Sequence, residues 1–600
     1  MGHRLQGLGV SAGEAAGPVA RLAPPPQLPP ADAVVSDLNT ELARVAQALD
    51  AVAGELDARA AASQGAAREV LVAQGLIARD PVLLDGALAR VRAGRDAAHA
   101  IDEAFAEHRR ALEAIGGYLG ERAADLQDLR DRAVAWLLGR PMPGVPNPGH
   151  PFVLVALDLA PADTATLDPA TVLAIVTEHG GPTGHTAILA KQLGIPAVTA
   201  CAQAGTLRDG QNVLVDGDNG EVIADPNAEQ VSDAHRKSAA RAKRRAASTG
   251  PGHTADGHHI PLLANIGGPA DLEAAALHDA EGIGLLRTEF MFLERATAPT
   301  LAEQHTALKK VFDAFPSRRV VVRTLDVGAD KPLAYVPQED EPNPALGVRG
   351  LRMRRTNPEL LDEQLRAIAH AAQTSDADVW VMAPMVATAE EAREFADTAR
   401  AHGLARVGVM VEVPSAAICA RDILPTVDFA SIGTNDLAQY TLAADRLAGQ
   451  LADLLDPWQP ALLRLIATTA SAGSELDRAV GVCGEAASDP LLALVLVGLG
   501  ITSLSMAPGC LPDVRAALAE HTIQHCRALA AAALQASSAQ AARASVTELA
   551  KQQVAATATT RPTAGNPARG GELADAPTAT AQPHTTPAET HSASTLAKPY

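Results

Sequence analysis

The sequence has few aromatic residues, few cysteines and no long hydrophobic run. Aromatic residues make up 2% of the 600 residues while hydrophobic residues make up 47%, so its cores must be built from Ala, Leu and Val. Its five cysteines are scattered without a CxxC pair, which excludes a disulfide framework and a zinc site of paired cysteines. The longest apolar run, 491–501, is too short to span a bilayer and predicts a buried helix leading into a strand.

Basic residues are fewer than acidic ones, and no signal segment is recognisable. The chain has 50 Lys and Arg against 70 Asp and Glu, a formal net charge of −20. This balance argues against nucleic acid as the main partner and suits, weakly, a basic protein. The N-terminus has no apolar signal core, so we expect a cytoplasmic protein without membrane insertion.

The first 250 residues predict a β-rich unit interrupted by helices. Residues 5–23 alternate Gly with apolar residues and predict a strand pair, whereas 33–140 predicts a bundle of four or five helices. A β-rich unit begins at Phe152 and closes in a hairpin whose turn is 216–220. We expect the first strands to join this unit, which makes the bundle an insertion. The segment 229–247 predicts a charged helix, without a clear apolar face, that bridges domains.

After residue 250, short β-rich runs alternate with helical ones, as in parallel α/β folds. Eight strand candidates predict a (β/α)₈ barrel. The chain from 537 is rich in Ala, Thr, Pro and Ser and predicts a disordered tail. The strand candidates are 261–267, 282–290, 320–328, 379–386, 407–414, 429–436, 480–486 and 503–508.

The stretch 180–198, GGPTGHTAILAKQLGIPAV, predicts a tight turn followed by a helix over about 185–193. A short apolar run that suits a buried strand precedes it, and the two leading glycines permit unusual backbone angles. Either Thr183 or Gly184 is the predicted helix cap.

His185 therefore lies at a helix N-terminus, where free N–H groups and the helix dipole favour an anion. A neutral imidazole flanked by the hydroxyls of Thr183 and Thr186 is suited to carry a phosphoryl group. His179 is the rival candidate, but it precedes the glycines and belongs to the strand side of the turn. The alternative is that His185 only satisfies the turn.

Polar residues follow most of the predicted barrel strands, where the catalytic residues of such barrels lie. Glu412 and Asp436 are hard oxygen ligands that suit one Mg²⁺, although two unrelated carboxylates remain the alternative. Cys483 stands alone in an apolar strand, so a buried structural cysteine is the first interpretation. Forked donors for phosphate and carboxylate are available from Arg287, Arg323, Arg349 and Arg446.

Seven segments in this order resemble one family. GGPTGHTAILA, GIGLLRTEFMF, RTLDVGADKPL, NPALGVRGLR, GVMVEVPSAA, SIGTNDLAQYTLAADR and GVCGE are similar to motifs of enzyme I of the bacterial phosphoenolpyruvate:sugar phosphotransferase system. The resemblance covers roughly residues 4 to 535. Two positions of the histidine motif depart from the family: Gly184 stands where Ser is usual, and Lys191 where Arg is usual. Around 73–84 some members carry a His, and here Leu76 follows Gly75.

The resemblance implies a swivelling phosphohistidine domain (1–32 and 141–228), a helical phosphocarrier-binding domain (33–140), a linker helix (229–250), a phosphoenolpyruvate-binding barrel (251–536) and a tail (537–600). It implies transfer of phosphate from phosphoenolpyruvate to His185, with release of pyruvate, and then to a small histidine-containing phosphocarrier protein. A homodimer through the barrel is implied as well.

The resemblance also assigns roles to the candidate residues. Cys483 protonates the enolate carbon, and Mg²⁺ on Glu412 and Asp436 offsets the charge of phosphate and enolate. The substrate's negative groups are bound by Arg287, Arg323 and Arg446, and Asn435 donates an amide. Arg349 and Asp436 complete the implied substrate-binding residues.

Two other functions compete with this interpretation. Pyruvate phosphate dikinase and phosphoenolpyruvate synthase share the histidine and barrel units, but they need a nucleotide-binding domain with a Gly-rich phosphate loop. The 184 residues before His185 are mostly helical and contain no such loop. A non-catalytic regulatory relative is the other alternative, and the intact set of His, Glu, Asp, Cys and Arg argues against it.

Overall fold

The computed structural model describes residues 3–23, 25–30, 37–62, 65–115, 123–159, 163, 167–181, 184–293, 295–328, 333–336, 341–446 and 449–560. The chain divides into two compact units, Met1–Gln552 and Gln553–Tyr600. The sheet, the bundle and the barrel described below all belong to the first unit. No helix among the described residues is long and apolar enough to cross a membrane.

Eight strands of the first 224 residues form one mixed sheet in the order β1-β8-β7-β3-β4-β5-β6-β2. Strand β3 pairs in parallel with β4 and antiparallel with β7, so strands from both sides of the helical segment share this sheet. The bundle is therefore an insertion, as predicted. The strands are β1 (Arg4–Gln6), β2 (Leu8–Ser11), β3 (Glu14–Arg21), β4 (Phe152–Ala156), β5 (Val172–Thr177), β6 (Ala197–Thr199), β7 (Asn212–Asp216) and β8 (Glu221–Ala224).

Where the sequence predicts a strand pair at 5–23, the structure has three strands. Gly7 separates β1 from β2, and Gly13, whose φ of +116° suits only glycine, separates β2 from β3. The predicted hairpin at 216–220 is confirmed by the antiparallel pair of β7 and β8, which ends at Asp216 and Glu221.

Five helices form the described part of the inserted bundle, and their Ala, Leu and Val side chains share one buried core. Asp80 caps the third helix by accepting a hydrogen bond from the N–H of Val82, and Pro81 occupies its first position. This cap and the proline mark the boundary between the second and third helices. The helices are α1 (Leu38–Ala62), α2 (Gly65–Ala78), α3 (Pro81–Arg92), α4 (Ala97–Ile115) and α5 (Ala123–Leu137).

The histidine stretch folds as the sequence predicts. Helix α6 (His185–Leu193) follows β5, and Gly184 is its N-cap without a side-chain hydrogen bond. Gly194 ends the helix in the left-handed conformation, with φ of +69°. The other cap candidate, Thr183, lies outside the described residues.

Helix α7 (Ala228–Ala247) is the charged helix expected at 229–247. It begins with a capping box of Asn227 and Gln230. Its short apolar strip, Val231 and Ala234, packs against the sheet, and the sequence pattern had not indicated this face. Nearer its C-terminus the helix forms ion pairs with the barrel, so it bridges the two.

The eight strands after residue 260 close into an all-parallel barrel. Each predicted strand segment contains or overlaps an observed strand, so the (β/α)₈ prediction is confirmed. The strands are β9 (Leu262–Ile266), β10 (Gly282–Leu286), β11 (Arg319–Arg323), β12 (Asp378–Ala383), β13 (Val407–Val411), β14 (Phe429–Ile432), β15 (Ala479–Val482) and β16 (Ser503–Met506).

The helices around the barrel bury their apolar faces against the outer side of the strands in one continuous core. The buried run at 491–501 is a helix that leads into β16, as expected. The helices are α8 (Pro269–Leu277), α9 (Leu301–Asp313), α10 (Pro358–Gln373), α11 (Ala389–Ala401), α12 (Pro414–Ile418), α13 (Ala420–Ile423), α14 (Thr434–Leu442), α15 (Pro460–Glu475), α16 (Pro490–Gly498), α17 (Leu511–Ala519), α18 (Ile523–Gln535) and α19 (Ala539–Thr560).

Helix α19 corrects the predicted start of the disordered tail at 537. The composition of this stretch includes Ala, Glu, Lys and Gln, which are strong helix formers. Ala542 and Val546 are fully buried against the barrel core, and this tertiary packing stabilises the helix. Residues 561–600 lie outside the described residues.

Candidate active site at the mouth of the barrel

The carboxyl ends of the barrel strands bring the predicted site residues to one mouth. Arg323 is the last residue of β11, and Arg287, Glu412 and Cys483 directly follow β10, β13 and β15. Asn435 and Asp436 lie in the first turn of α14 and not on a strand, as the segment 429–436 had suggested. Strand β14 ends at Ile432, because Gly433 is the N-cap of helix α14.

Arg323 is buried and held by two carboxylates. Its Nη2 donates to Glu289 Oε1 at 2.9 Å, and its Nη1 lies 3.3 Å from Asp326 Oδ2. Burial alone lowers the pKa of this guanidinium, but the surrounding carboxylates raise it further than burial lowers it. Its Nε is buried without a hydrogen-bond partner among the described residues, so this group keeps a donor for a ligand.

Arg349 forms the centre of a second network. Its Nε and Nη2 donate to the two oxygens of Asp326, at 3.1 and 3.0 Å, in the bidentate geometry that only arginine offers. Its Nη1 donates to Asp436 Oδ1 at 3.0 Å and to the hydroxyl of Tyr440 at 3.3 Å. Arg349 therefore orients two carboxylates of the site, a role that the sequence could not indicate.

Glu412 is a buried carboxyl with one satisfied oxygen. The N–H of Met385 donates to Oε1 at 2.6 Å, whereas Oε2 is buried without a hydrogen-bond partner in the described part of the chain. Burial raises the pKa of Glu412 to about 8, and the charges of Asp436 and Asp326 add to the effect. Gly433 makes room for Oε2, since a Cβ there would lie 2.9 Å from it.

These properties fit a divalent cation between Glu412 and Asp436. An unpartnered carboxylate oxygen beside a second acid is costly to bury, and a cation would satisfy both. No group of three or more His, Cys, Asp or Glu with metal-ligand geometry occurs in the described residues. The remaining ligands would come from water and substrate, as is usual for Mg²⁺.

Cys483 lies inside the barrel at the base of the site. It is 3% exposed and packs with Leu285 and Met410 in the interior of the barrel. Burial raises the pKa of the Cys483 thiol to about 11, so at neutral pH it carries its proton. Such a thiol suits a proton donor better than a nucleophile. The amide of Asn265 donates to the Cys483 carbonyl at 2.9 Å and fixes the backbone there.

Three predicted substrate-binding residues form the rim. Arg287 directly follows β10 at the mouth of the barrel and is exposed. Arg446 Nη1 lies 3.7 Å from Asp436 Oδ2. Asn435 Oδ1 accepts the N–H of Glu485 at 2.9 Å, which leaves its NH₂ group as the donor.

His185 is the first residue of α6, at the helix end that favours an anion. The hydroxyl of Thr186 donates to Asp158 Oδ1 at 3.2 Å, so Asp158 is a polar neighbour that the sequence argument missed. His179 follows β5, and its carbonyl accepts the hydroxyl of Thr177 at 2.6 Å, on the strand side of the turn.

Helix α6 contacts the barrel mouth directly. Lys191 Nζ lies 3.2 Å from Glu485 Oε2, and the thiol of Cys510 donates to the Lys191 carbonyl at 3.7 Å. A cleft of about 940 Å³ opens beside this contact, between the β1–β2 segment, the barrel mouth near Asn435 and Arg446, and the N-terminal half of α19. The sequence offered no signal for this contact, because the two partners are almost 300 residues apart.

Three family models match consecutive parts of the chain. Residues 6–122 match the N-terminal domain of PEP-utilising enzymes. Residues 148–220 match their mobile domain, and 241–523 match their PEP-binding domain. The mobile-domain match contains His185, and the PEP-binding match contains every predicted site residue of the barrel. The predicted domain limits and residue roles are not tested by these matches and stay predictions.

Several curated proteins are similar over most of the chain. Phosphoenolpyruvate-protein phosphotransferase of Streptomyces coelicolor is 53% identical over 532 residues, 88% of this chain and 96% of that protein. The protein of the same name in Haloferax volcanii is 44% identical and covers 76% of this chain and 82% of its own length. The Bacillus subtilis protein is 37% identical, with coverage of 84% and 92%. This chain therefore belongs to the PEP-utilising enzymes and, within them, to the phosphoenolpyruvate-protein phosphotransferases.

Proposed function

We propose that this chain transfers the phosphoryl group of phosphoenolpyruvate to His185 and then to the histidine of a small phosphocarrier protein. The reaction releases pyruvate and is the first step of sugar uptake by the phosphotransferase system. One observation carries the proposal: the helix that begins at His185 contacts the barrel mouth where arginines, carboxylates and a protonated thiol converge.

Accessible residues at the rim and buried arginines below them have different roles in substrate binding. Arg287, Arg446 and the NH₂ group of Asn435 bind the phosphate and carboxylate from the rim, where they are accessible. Arg323 contributes from below through its unpartnered Nε. Arg349 is predicted to bind substrate too, and its contacts make it the residue that holds Asp436 in position.

Glu412 and Asp436 are the residues that would hold Mg²⁺. When bound, the ion supplies positive charge beside the phosphate and the enolate oxygen. The raised pKa of Glu412, about 8, means that its carboxyl must lose a proton to become a ligand at neutral pH.

The transfer breaks one P–O bond and makes one P–N bond. The neutral imidazole of His185 attacks phosphorus in line, and the bridging oxygen of phosphoenolpyruvate leaves as the enolate. The Cys483 thiol then donates its proton to the terminal carbon of the enolate, which gives pyruvate and leaves a thiolate. Water or buffer restores the thiol proton before the next turnover.

The second transfer needs a different arrangement. We expect the carrier to dock on the bundle of α1–α5, so the phosphohistidine unit must swing away from the barrel. The predicted hinges are 224–227 and 247–252, the two ends of α7. A homodimer formed through the barrel and a cytoplasmic location complete the proposal.

Mass spectrometry after incubation with phosphoenolpyruvate and Mg²⁺ tests the function. We expect one phosphoryl group on His185 and continued pyruvate release only when a phosphocarrier protein is added. Pyruvate formation that needs AMP and diphosphate instead would favour the dikinase-like alternative. No phosphorylation under any of these conditions would favour the regulatory one.

A further inference from the structure

Lys191 stands where this family's histidine motif usually has arginine, and its side chain reaches the barrel. Its ammonium lies 3.2 Å from Glu485 Oε2, and the two side chains are only 19% and 21% exposed. This is the ion pair that joins the helix of His185 to the barrel mouth in the described structure.

Both partners sit beside the chemistry without being part of it. Lys191 is six residues along α6 from His185, about 9 Å along the helix axis. Glu485 lies two residues after Cys483, and its N–H donates to Asn435 Oδ1 at 2.9 Å. A continuous series of contacts thus runs from the histidine helix, through Lys191 and Glu485, to Asn435, a predicted substrate-binding residue.

Each charge of the Lys191–Glu485 pair is stabilised by its partner. Burial by itself raises the pKa of the Glu485 carboxyl, but Lys191, assisted by Arg287, lowers it below its usual value, so the acid is ionised. Removing one partner would leave the other charge largely out of water. This would weaken the contact between the His185 helix and the barrel mouth. A second contact, from the Cys510 thiol to the Lys191 carbonyl, supports the same turn of the helix.

We propose that Lys191 and Glu485 are positioning residues that align the His185 helix over the barrel for transfer from phosphoenolpyruvate. The inference rests on the proposed function. It further implies that the pair must break when the phosphohistidine unit turns to the carrier. Its removal therefore slows the first half-reaction and spares the second.

The two half-reactions are measured separately in the full-length chain. The first is single-turnover phosphorylation by phosphoenolpyruvate and Mg²⁺. The second is transfer to the chain from a phosphocarrier protein that the wild-type chain has phosphorylated beforehand. The variants are Lys191→Gln, Glu485→Gln, the double variant and Lys191→Arg, and thermal unfolding confirms that each is folded. Lys237→Gln is the matched control, because it removes the ion pairs of an exposed lysine with Glu14 and Asp233, away from the barrel mouth.

A misplacement of about 1 Å costs about 100-fold in rate, so we expect each Gln variant to slow the first half-reaction by about 10- to 100-fold. The second half-reaction should stay within about twofold of wild type. The double variant should lose no more than either single variant, because both remove one interaction. Lys191→Arg should retain the rate, and Lys237→Gln should match wild type.

Three results would overturn the positioning role. These are unchanged rates in both Gln variants, equal losses in both half-reactions, and additive losses in the double variant. Failure of the proposed function gives a different result, since the wild-type chain itself would then not be phosphorylated by phosphoenolpyruvate.

Discussion

Arg349 donates hydrogen bonds to both carboxylate oxygens of Asp326, with Nε–Oδ1 and Nη2–Oδ2 distances of 3.1 and 3.0 Å. The same guanidinium reaches Asp436, one of the two predicted metal ligands, and all three side chains are buried. A single arginine thus holds two acids of the active site in fixed orientations, and it controls the site through them.

Arg349→Met should destabilise the barrel and lower phosphoryl uptake together. Breaking a buried ion pair by removing one partner costs about 3–5 kcal/mol, because the remaining charges stay buried. Urea denaturation measures the free energy of unfolding. The control is Arg421→Met, which removes an exposed pair with Glu475 and should leave the midpoint unchanged. If Arg349→Met were as stable as wild type, this network would not have the importance we assign to it.

His185→Ala should retain the fold and lose all phosphoryl uptake from phosphoenolpyruvate. The position begins a helix whose Gly184 cap makes no side-chain hydrogen bond, so the substitution removes no cap. Circular dichroism checks the fold, and mass spectrometry locates phosphate. His179→Ala is the control and should behave as wild type. Phosphate on His179 in the His185→Ala variant would show that the assignment is wrong.

Cys483→Ala should still bind phosphoenolpyruvate but form pyruvate about 10²–10⁴-fold more slowly, since a general acid contributes a factor of this size. Isothermal titration calorimetry measures the binding and a coupled assay the pyruvate. Unchanged turnover would make Cys483 a structural cysteine of the barrel interior.

The rate at which the thiols are alkylated tests whether Cys483 is buried and protonated. With a pKa of about 11, Cys483 should be almost entirely protonated at pH 8, with a thiolate fraction of about 0.1%. Exposed Cys419 is the internal control and should react first with iodoacetamide. Rapid alkylation of Cys483 in the folded protein would contradict the buried, protonated state.

Removal of the divalent cation by EDTA should stop phosphorylation, and added Mg²⁺ should restore it. Glu412→Gln should raise the Mg²⁺ concentration required for half-maximal activity, because an amide is a weaker ligand than a carboxylate. Glu273→Gln, on the outer helix α8, is a matched control and should change nothing. Equal Mg²⁺ requirements in Glu412→Gln and wild type would place the ion elsewhere.

Two stacked histidines predict an acid-sensitive region between α17 and α19. The rings of His521 and His525 lie 5.1 Å apart, and burial, then His521, lowers the pKa of His525. Its folded pKa is below the unfolded value of about 6.5, so the unfolded state binds more protons as the pH falls. The stability contributed by neutral His525 is therefore present above about pH 6.5 and is lost below it.

The test compares melting temperatures at pH 7.5 and 5.5 in wild type and His525→Gln. We expect the variant to lose less stability between the two pH values than wild type does. The exposed His235→Gln variant is the control and should follow wild type. Parallel losses in wild type and His525→Gln would exclude His525 as the sensitive group.

The sequence was sufficient for the elements whose patterns are local. The eight barrel strands follow from short apolar runs between helical segments, and the helix at His185 follows from the glycines before and after it. The polar residues at the strand ends could be named for the same reason. Helix α19 was missed because an Ala- and Thr-rich composition suggests disorder, and only the burial of Ala542 and Val546 reveals its packing.

The networks within the site depend on contacts between distant segments. Arg349 is 23 positions from Asp326 and 87 from Asp436, and no local periodicity links them. The contact between Lys191 and Glu485 spans 294 positions and depends on how the phosphohistidine unit meets the barrel. The sequence named these residues as candidates, but their partners required the structure.

The order of the strands in the N-terminal sheet affects the order in which the protein folds during its synthesis on the ribosome. Strand β1 pairs with β8, and Arg4 bonds to Glu221 across 217 positions. The inserted bundle, built from local contacts, emerges completely while β1, β2 and β3 still await their partners. Contacts between distant residues form slowly because loop closure must come first. The bundle should therefore fold early during synthesis, and the sheet that presents the histidine should be completed only after β8 has left the exit tunnel.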